Sequence, residues 1–485
     1  MLKKIIRQAT TRILLLAAVW VCLTCYANAQ NSKTKSVAAP EVVPDTGKVS
    51  LLMPVTVKDT GKNNSGEYLT LQQCIDYAKQ HQPAVNILQI NINIAQTTNL
   101  INLSTALPQI SASGNLIHYL KQTSPGATTT TTTGSTTAPA TSTGSTYGFT
   151  PGLAVSQAIF NPTLLYAYKS APLYVQQAQQ QSDSTKIFLV SAVSKSFYTL
   201  LLTLEQINVL KDDTAQFGKS FRDAYHQYKG GIVDETDYEQ AEITLNNTKA
   251  QLKQANENVV PQYAALKQVM GYPTEKQFNV VFDTLEMMKS IHIDTLQQLQ
   301  FEKRIEYQIL NTSKSLQDQQ VNYYRYSFLP TLSAFYNYNL AYENNRLPDL
   351  FNNAYPSSLV GLSISVPIFT GFYRINNLHK AKLQSQILDW QQTDLKSQIN
   401  VEYTSALASY KGNYYNLQVL QQNVSLSRRV YFVVSLQYRQ GIVPYLNVIT
   451  AETNLINSEI NYLNALFQVL SNKIDLQKAM GNITY

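Results

Sequence analysis

The chain is written twice. Tyr228, Gly231-Ile232-Val233, Ala241-Glu242, Leu245 and Met270-Gly271 return as Tyr438, Gly441-Ile442-Val443, Ala451-Glu452, Leu455 and Met480-Gly481, each 210 residues further on. A constant offset over separated landmarks means two copies of one structural unit, and any fold proposed for the chain must accommodate both. Upstream, Leu153, Ile159 and Phe160 recur as Leu362, Ile368 and Phe369 at an offset of 209, and Leu107-Pro108 recurs as Leu329-Pro330 at 222. The first copy therefore carries 13 extra residues between those points, within a tract from Thr123 to Thr146 made almost entirely of Thr, Ser, Gly, Ala and Pro. That composition is that of a solvated loop. The repeats are placed at 67–272 and 273–485, with the loop at 121–149.

Each copy changes period along its length. Leu153, Val155, Gln157 and Ile159 alternate with Gly152, Ala154, Ser156 and Ala158, and Leu362, Ile364, Val366 and Ile368 alternate with Gly361, Ser363, Ser365 and Pro367. A period of two, apolar on one side and small or polar on the other, is strand patterning. Partner strands follow Pro108 and Pro330, where proline ends the preceding helix. Strands are expected at about 109–120 and 150–160 in the first copy and 331–342 and 359–369 in the second, one hairpin per copy. At about 10 to 13 residues they are long enough to cross a bilayer obliquely.

The remainder reads as helix. The spans 163–228 and 372–438 hold a single proline, Pro172, and at 1.5 Å per residue each would reach about 100 Å. Helices of that length need a partner throughout. The returning helices show where it lies: Tyr238, Ala241, Leu245, Thr248, Leu252, Ala255, Val259, Gln262, Leu266 and Val269 follow three-four spacing, and Val448, Ala451, Leu455, Ser458, Tyr462, Ala465, Val469, Asn472, Leu476 and Ala479 repeat it. The second adds another row, Leu446, Ile449, Thr453, Ile456, Ile460, Leu463, Phe467, Leu470 and Ile474. Two seams imply two neighbours, as for a stave in a cylinder; one wide apolar face in an ordinary bundle is the other arrangement this pattern allows. The fold class is thus mainly α with a transmembrane β portion.

The N-terminus adds a destination. Lys3, Lys4, Arg7 and Arg12 precede an apolar run from Ile13 to Cys25 and the triplet Ala27-Asn28-Ala29, which make residues 1–29 a secretory signal, followed by a flexible leader over 30–66. Acylation at Cys25 is the rival processing route, with Thr24 and Cys22 ill-suited to it. Removing the signal takes four basic residues and lowers the formal charge from +7 to +3, so nucleic acid is not an expected partner. It also leaves Cys74 as the single cysteine, read as a small buried side chain. Charged residues make up 14% of the chain against a usual value of about 25%. The most apolar later stretch, Ile187 to Leu204, contains Lys195 and several hydroxyl residues, and is expected to be buried in protein rather than lipid. His81, His118, His226, His292 and His379 are dispersed, and there is neither a phosphate-binding glycine loop nor a nucleophile elbow. No catalytic residue, cofactor or metal site is expected.

Leu-Pro before the first strand of each half, a strand running into Ile-Phe, a Tyr-x-x-Gly turn between long helices and Met-Gly closing each repeat together resemble the TolC-like outer-membrane efflux protein family. The resemblance covers nearly the whole mature chain. It implies a homotrimer in outer-membrane lipid, whose three sets of four strands close a 12-stranded barrel continued by a periplasmic helical tunnel. It further implies a passive exit duct served by a periplasmic adaptor and an inner-membrane transporter. On this reading Tyr228, Gly230, Gly231, Ile232 and Val233, with Tyr438, Gly441, Ile442 and Val443, form the periplasmic tips that dock the adaptor. Asp234, Asp237 and Asn447 become candidates for the constriction at the mouth. The family's acidic pattern is incomplete here, since Asn447 and Thr450 stand where some members carry acids. Asp234 and Asp237 also read as helix-start carboxylates favoured by the macrodipole. The competing class is an exported helical coiled-coil scaffold whose strands are surface hairpins.

Overall fold

The computed structural model describes residues 67–120, 145–281, 291 and 298–485; the signal at 1–29, the leader at 30–66 and loop residues 121–144 lie outside the described residues. In chain order the elements are β1 (Glu67–Leu69), α1 (Leu71–His81), α2 (Pro83–Ser104), β2 (Gln109–His118), β3 (Tyr147–Phe160), α3 (Pro162–Lys229), α4 (Glu235–Met270), β4 (Phe278–Val280), α5 (Ile305–Tyr326), β5 (Thr331–Asn344), β6 (Ala354–Ser365), α6 (Tyr373–Arg439) and α7 (Tyr445–Met480).

The repeat is legible in the helices. α3 and α6 are 68 and 67 residues long, and α4 and α7 are 36 each, with both ends of α7 offset by 210 from those of α4. Asn161 starts α3 by accepting a hydrogen bond from the Thr163 amide, with Pro162 in the first turn where no amide partner is needed. α4 and α7 end on Gly271 and Gly481, both left-handed, at φ +67° and +71°. Neither position has room for a side chain: a Cβ would lie 2.9 Å from the His81 carbonyl oxygen at Gly271 and 2.8 Å from that of Lys303 at Gly481. Each returning helix is thereby butted against the chain just before α2 or α5. At the second joint the buried Arg304 donates from Nη1 to the Ala479 carbonyl at 2.9 Å and from Nη2 to Glu402 at 2.6 Å, placing a cation at the C-terminus of α7.

Packing follows the seams. Every member of the α4 and α7 seams is buried or half-buried. The second α7 row is buried at Ile456, Phe467, Leu470 and Ile474 but exposed at Leu446 near the tip. α7 packs against α6 and also against α3, so 17 of its residues are buried against seven in α4. The main core joins Val193, Phe197, Leu200 and Leu201 of α3 to Leu266 and Met270 of α4, Tyr410 of α6, Val469 and Leu470 of α7, and Cys74 of α1. α3 is long and apolar enough to span a membrane, yet its apolar stretch supplies this core, and its Lys195 pairs with Asp475 of α7 at 2.6 Å.

The four long strands form one antiparallel sheet in the order β2-β3-β5-β6, which joins the two hairpins through β3 and β5 and leaves β2 and β6 as outer strands. One face carries the row Ile110, Val155, Tyr336 and Val360, and the other carries Ser113, Gly152, Asn339 and Ser357. Aromatic side chains gather at both ends of the strands: Phe149 packs on Tyr342 and Phe351 at one, and Phe369 on Phe372 at 5.8 Å at the other, beside exposed Tyr373.

Three expectations are corrected. β6 runs Ala354–Ser365 rather than 359–369, because Pro367 has no amide to continue the ladder beyond the Thr331–Ser365 pair. β2 stops at His118 rather than 120. Between α4 and α5 the described residues hold no α-helix: β4 pairs in parallel with β1, and Phe301–Lys303 is a single 3-10 helical turn.

Gly481→Ala should lower stability by about 2 to 4 kcal/mol, because it adds a strained backbone to a clash with the Lys303 carbonyl. Gly412→Ala, inside α6 with open space around it, should raise stability by about 0.5 to 1 kcal/mol. Thermal unfolding in detergent should therefore move the two melting temperatures in opposite directions.

Candidate functional site at the helix tips

The two long helical hairpins turn by the same backbone device. In the first, the Gly231 amide donates to the Tyr228 carbonyl and the Ile232 amide to the Gln227 carbonyl, both at 2.9 Å; in the second, Gly441 donates to Tyr438 and Ile442 to Gln437 at the same distances. Gly231 and Gly441 are left-handed at φ +71° and +70°, which lets a helix reverse within five residues. Gly230 keeps a right-handed backbone and closes α3 by donating to the His226 carbonyl. Ile232 and Ile442 are 73% and 69% exposed, while Val233 and Val443 tuck half-buried beneath them.

Below the turns the hairpins interlock. Ala224 and Ala241 of the first share a small core with Tyr438, Tyr445 and Val448 of the second, so the structure brings both sets of tip residues together. Tyr228 packs on Tyr238 at 4.9 Å, and Tyr438 on Tyr445 at 5.1 Å. The Tyr438 hydroxyl is buried without a hydrogen-bond partner, and its pKa is pushed up to about 12 by burial and by the carboxylates of Asp237 and Asp223.

The three mouth candidates divide. Asp234 caps α4, accepting from the Glu235 amide at 2.6 Å, which is the helix-start role. Asp237 is half-buried one turn on, its pKa raised by burial and by Asp234. Asn447 is exposed and uncharged, on a helix whose cap is Pro444 with no side-chain bond.

A short way up the shaft lies a polar group that sequence reasoning missed. Asp213 of α3 and Glu452 and Glu459 of α7 are all buried. Glu459 is held by Arg428 of α6, through Nε at 2.8 Å and Nη2 at 2.7 Å, and Glu452 accepts from the Ser220 hydroxyl at 3.0 Å. The signal was present: Glu452 and Glu459 stand one heptad apart, between the two apolar rows of α7.

The outer membrane efflux protein family matches this chain over residues 74–272 and 312–482. The chain belongs to that family. Among curated relatives, it is 22% identical over 320 residues to the probable outer membrane lipoprotein SilC of Salmonella typhimurium, covering 63% of this chain and 66% of SilC. To the toluene efflux pump outer membrane protein TtgI of Pseudomonas putida it is 23% identical over 316 residues, covering 64% and 65%. The chain thus spans just under two thirds of the length of either relative. The fold is similar to the crystal structure of CusC, with a TM-score of 0.69 at 17% identity, over 90% of this chain and 98% of that one. Family membership places the protein in the outer membrane.

For this family member the tip glycines offer a direct check on the turn. Gly441→Ala meets no neighbouring atom, so its cost should be the left-handed backbone alone, about 1 to 2 kcal/mol. The expected readout is faster proteolytic nicking at 439–445 with little change in global unfolding; an equal loss in both would show that the tip is not an independent element.

Proposed function

We propose that this chain is one protomer of a trimeric outer-membrane exit duct, passive in itself. On this reading a periplasmic adaptor and an inner-membrane transporter deliver substrate and supply the energy. The observation that carries the reading is the four-stranded sheet. It has an apolar face suited to lipid, an opposite face rich in Ser, Gly and Asn suited to a wet lumen, and aromatic residues at both strand ends. Four strands cannot close on themselves, so the outer strands β2 and β6 meet those of neighbouring copies, and three copies make a barrel of 12 strands. The long helices then continue as a periplasmic tunnel, with α7 as a stave between two neighbours.

The tips become the tunnel's entrance. Ile232 and Ile442, with Val233 and Val443 beneath, offer an apolar knob on each hairpin for an adaptor. Asp237 is the carboxyl at the mouth with no capping role, since Asp234 caps α4 and Asn447 carries no charge; burial and Asp234 raise its pKa, so it holds a proton more readily than an ordinary carboxylate. A lumen of small polar groups discriminates weakly, which leaves choice of cargo to the transporter. That TtgI is named for a toluene pump makes organic solutes one class to assay.

Two measurements test this. Membrane fractionation should recover the protein in the outer membrane, and the purified protein should open ion-conducting channels in planar bilayers. Recovery from the soluble periplasm without channel activity would support the coiled-coil scaffold instead. Photocrosslinkers attached to cysteines at Ile232 and Ile442 should capture a periplasmic adaptor, whereas labelling of those cysteines by an impermeant reagent added to intact cells would invert the topology.

A further inference from the structure

Between the tips and the main core, the helices enclose more negative charge than they pair. Glu452 is 0% exposed and Asp213 5%, and each has one carboxylate oxygen, Oε2 and Oδ2, buried with no hydrogen-bond partner. The groups around them come from every adjoining helix. α3 contributes Asp212 and the Ser220 hydroxyl, α6 contributes Arg428, Tyr431 and Arg439, α7 contributes Glu459 and Tyr445, and Asp237 of α4 faces Tyr445. Arg428 is the cation that faces Asp213, and its guanidinium is already committed to Glu459.

An ionised carboxylate in such a place costs far more than a hydrogen-bonded neutral acid, and a proton is the smallest charge that removes the cost. A protonated carboxyl also gains a donor that an orphaned oxygen lacks. Burial, with the charges of Glu459 and Asp212 beside it, pushes the Asp213 carboxyl up to about 7 against the pull of Arg428, and burial with Asp213 nearby pushes the Glu452 carboxyl up to about 7. The repeat-related positions make no such pair: the counterpart of Glu452 is the exposed Glu242 of α4, and that of Asp213 is Asn423 of α6.

We propose that Asp213 and Glu452 form a proton-loaded latch that holds α7 against α3 above the tips, so that the second hairpin detaches from the first more readily as pH rises. The proposal rests on the reading of the tips as the mouth of a duct. The sign follows from where the protons sit. In the packed arrangement both acids hold protons to near pH 7, whereas after detachment and hydration they release them near pH 4. The latch is therefore at full strength below about pH 4, weakens as pH climbs, and is lost above about pH 7. Opening would expose both carboxylates to water and discharge their protons, tying movement of the second hairpin to the local proton concentration.

Single-channel recording between pH 5.5 and 8.5 tests it, alongside the distance between spin labels at Lys219 of α3 and Asn457 of α7. Wild-type protein should show open probability rising by about tenfold or more over that range, with the label distance lengthening in step. Glu452→Gln and Asp213→Asn mimic the protonated acids, and together they should flatten both responses to less than about twofold with the mouth held shut. Thermal unfolding of each single variant confirms that it folds. A flat wild-type response, or a pH dependence unchanged in the double variant, would overturn the latch. Absence of conductance at every pH, with label distances still tracking pH in the wild type alone, would sink the duct reading and leave the latch standing.

Discussion

An outer strand in a bilayer has nowhere to place its amides and carbonyls. β2 and β6 each pair on one side only within the chain, and no water inside a hydrocarbon layer can satisfy the other. On the proposed reading this one requirement dictates the rest. It forces copies to meet edge to edge, it sets the barrel's axis, and it makes each protomer hand its polypeptide from strand to helix at every crossing of the membrane boundary. Those handovers are built from Asn161-Pro162, and from Gly371 and Phe372, both left-handed at φ +58° and +63° just before α6. Phe372 is the one non-glycine residue with such a backbone among the described residues. Its strain is held in place by the strand on one side and 67 residues of helix on the other.

The duplication supplies symmetry, and the chain then departs from it. Two hairpins of matched length end in matched turns, yet α7 lies against both α6 and α3 while α4 has the smaller buried face. A helix clasped on two sides resists displacement, so a movable mouth needs part of that contact to be weak on demand. On the proposed latch, acids buried between the apolar rows do that, since their contribution depends on their charge state. Both returning helices carry Ala-Glu at the same repeat position, but only the second folds its glutamate inward.

Much of this was legible in the sequence because it depends on local periodicity. The three-four rows carry the helix seams, the constant offset carries the paired turns, and alternation carries the two hairpins. What escaped depends on distant contacts. β1 and β4 are three residues each and pair across more than 200 residues, so neither holds enough alternation to be seen. β6 ends before its alternation does, because Val366 and Ile368 keep the apolar rhythm although Pro367 breaks the ladder. Asp213 lies in the charged run Lys211-Asp212-Asp213, where nothing local marks it for burial, yet it is buried in the fold. Tyr445 stands where the first repeat has Glu235, and its place in the core joining the two tips could not be read from a repeat that differs there.

The most direct measurement uses the geometry of the sheet. Within one chain β3 and β5 separate β2 from β6 by about 14 Å, well beyond the roughly 7 Å that a disulfide can span. Cysteines scanned along β2 and β6 in a background lacking Cys74 can therefore bond only between copies. The account predicts that some register yields disulfides in oxidised outer membranes and that the covalent ladder stops at three chains. No bond in any register, or a ladder extending past three, would contradict it.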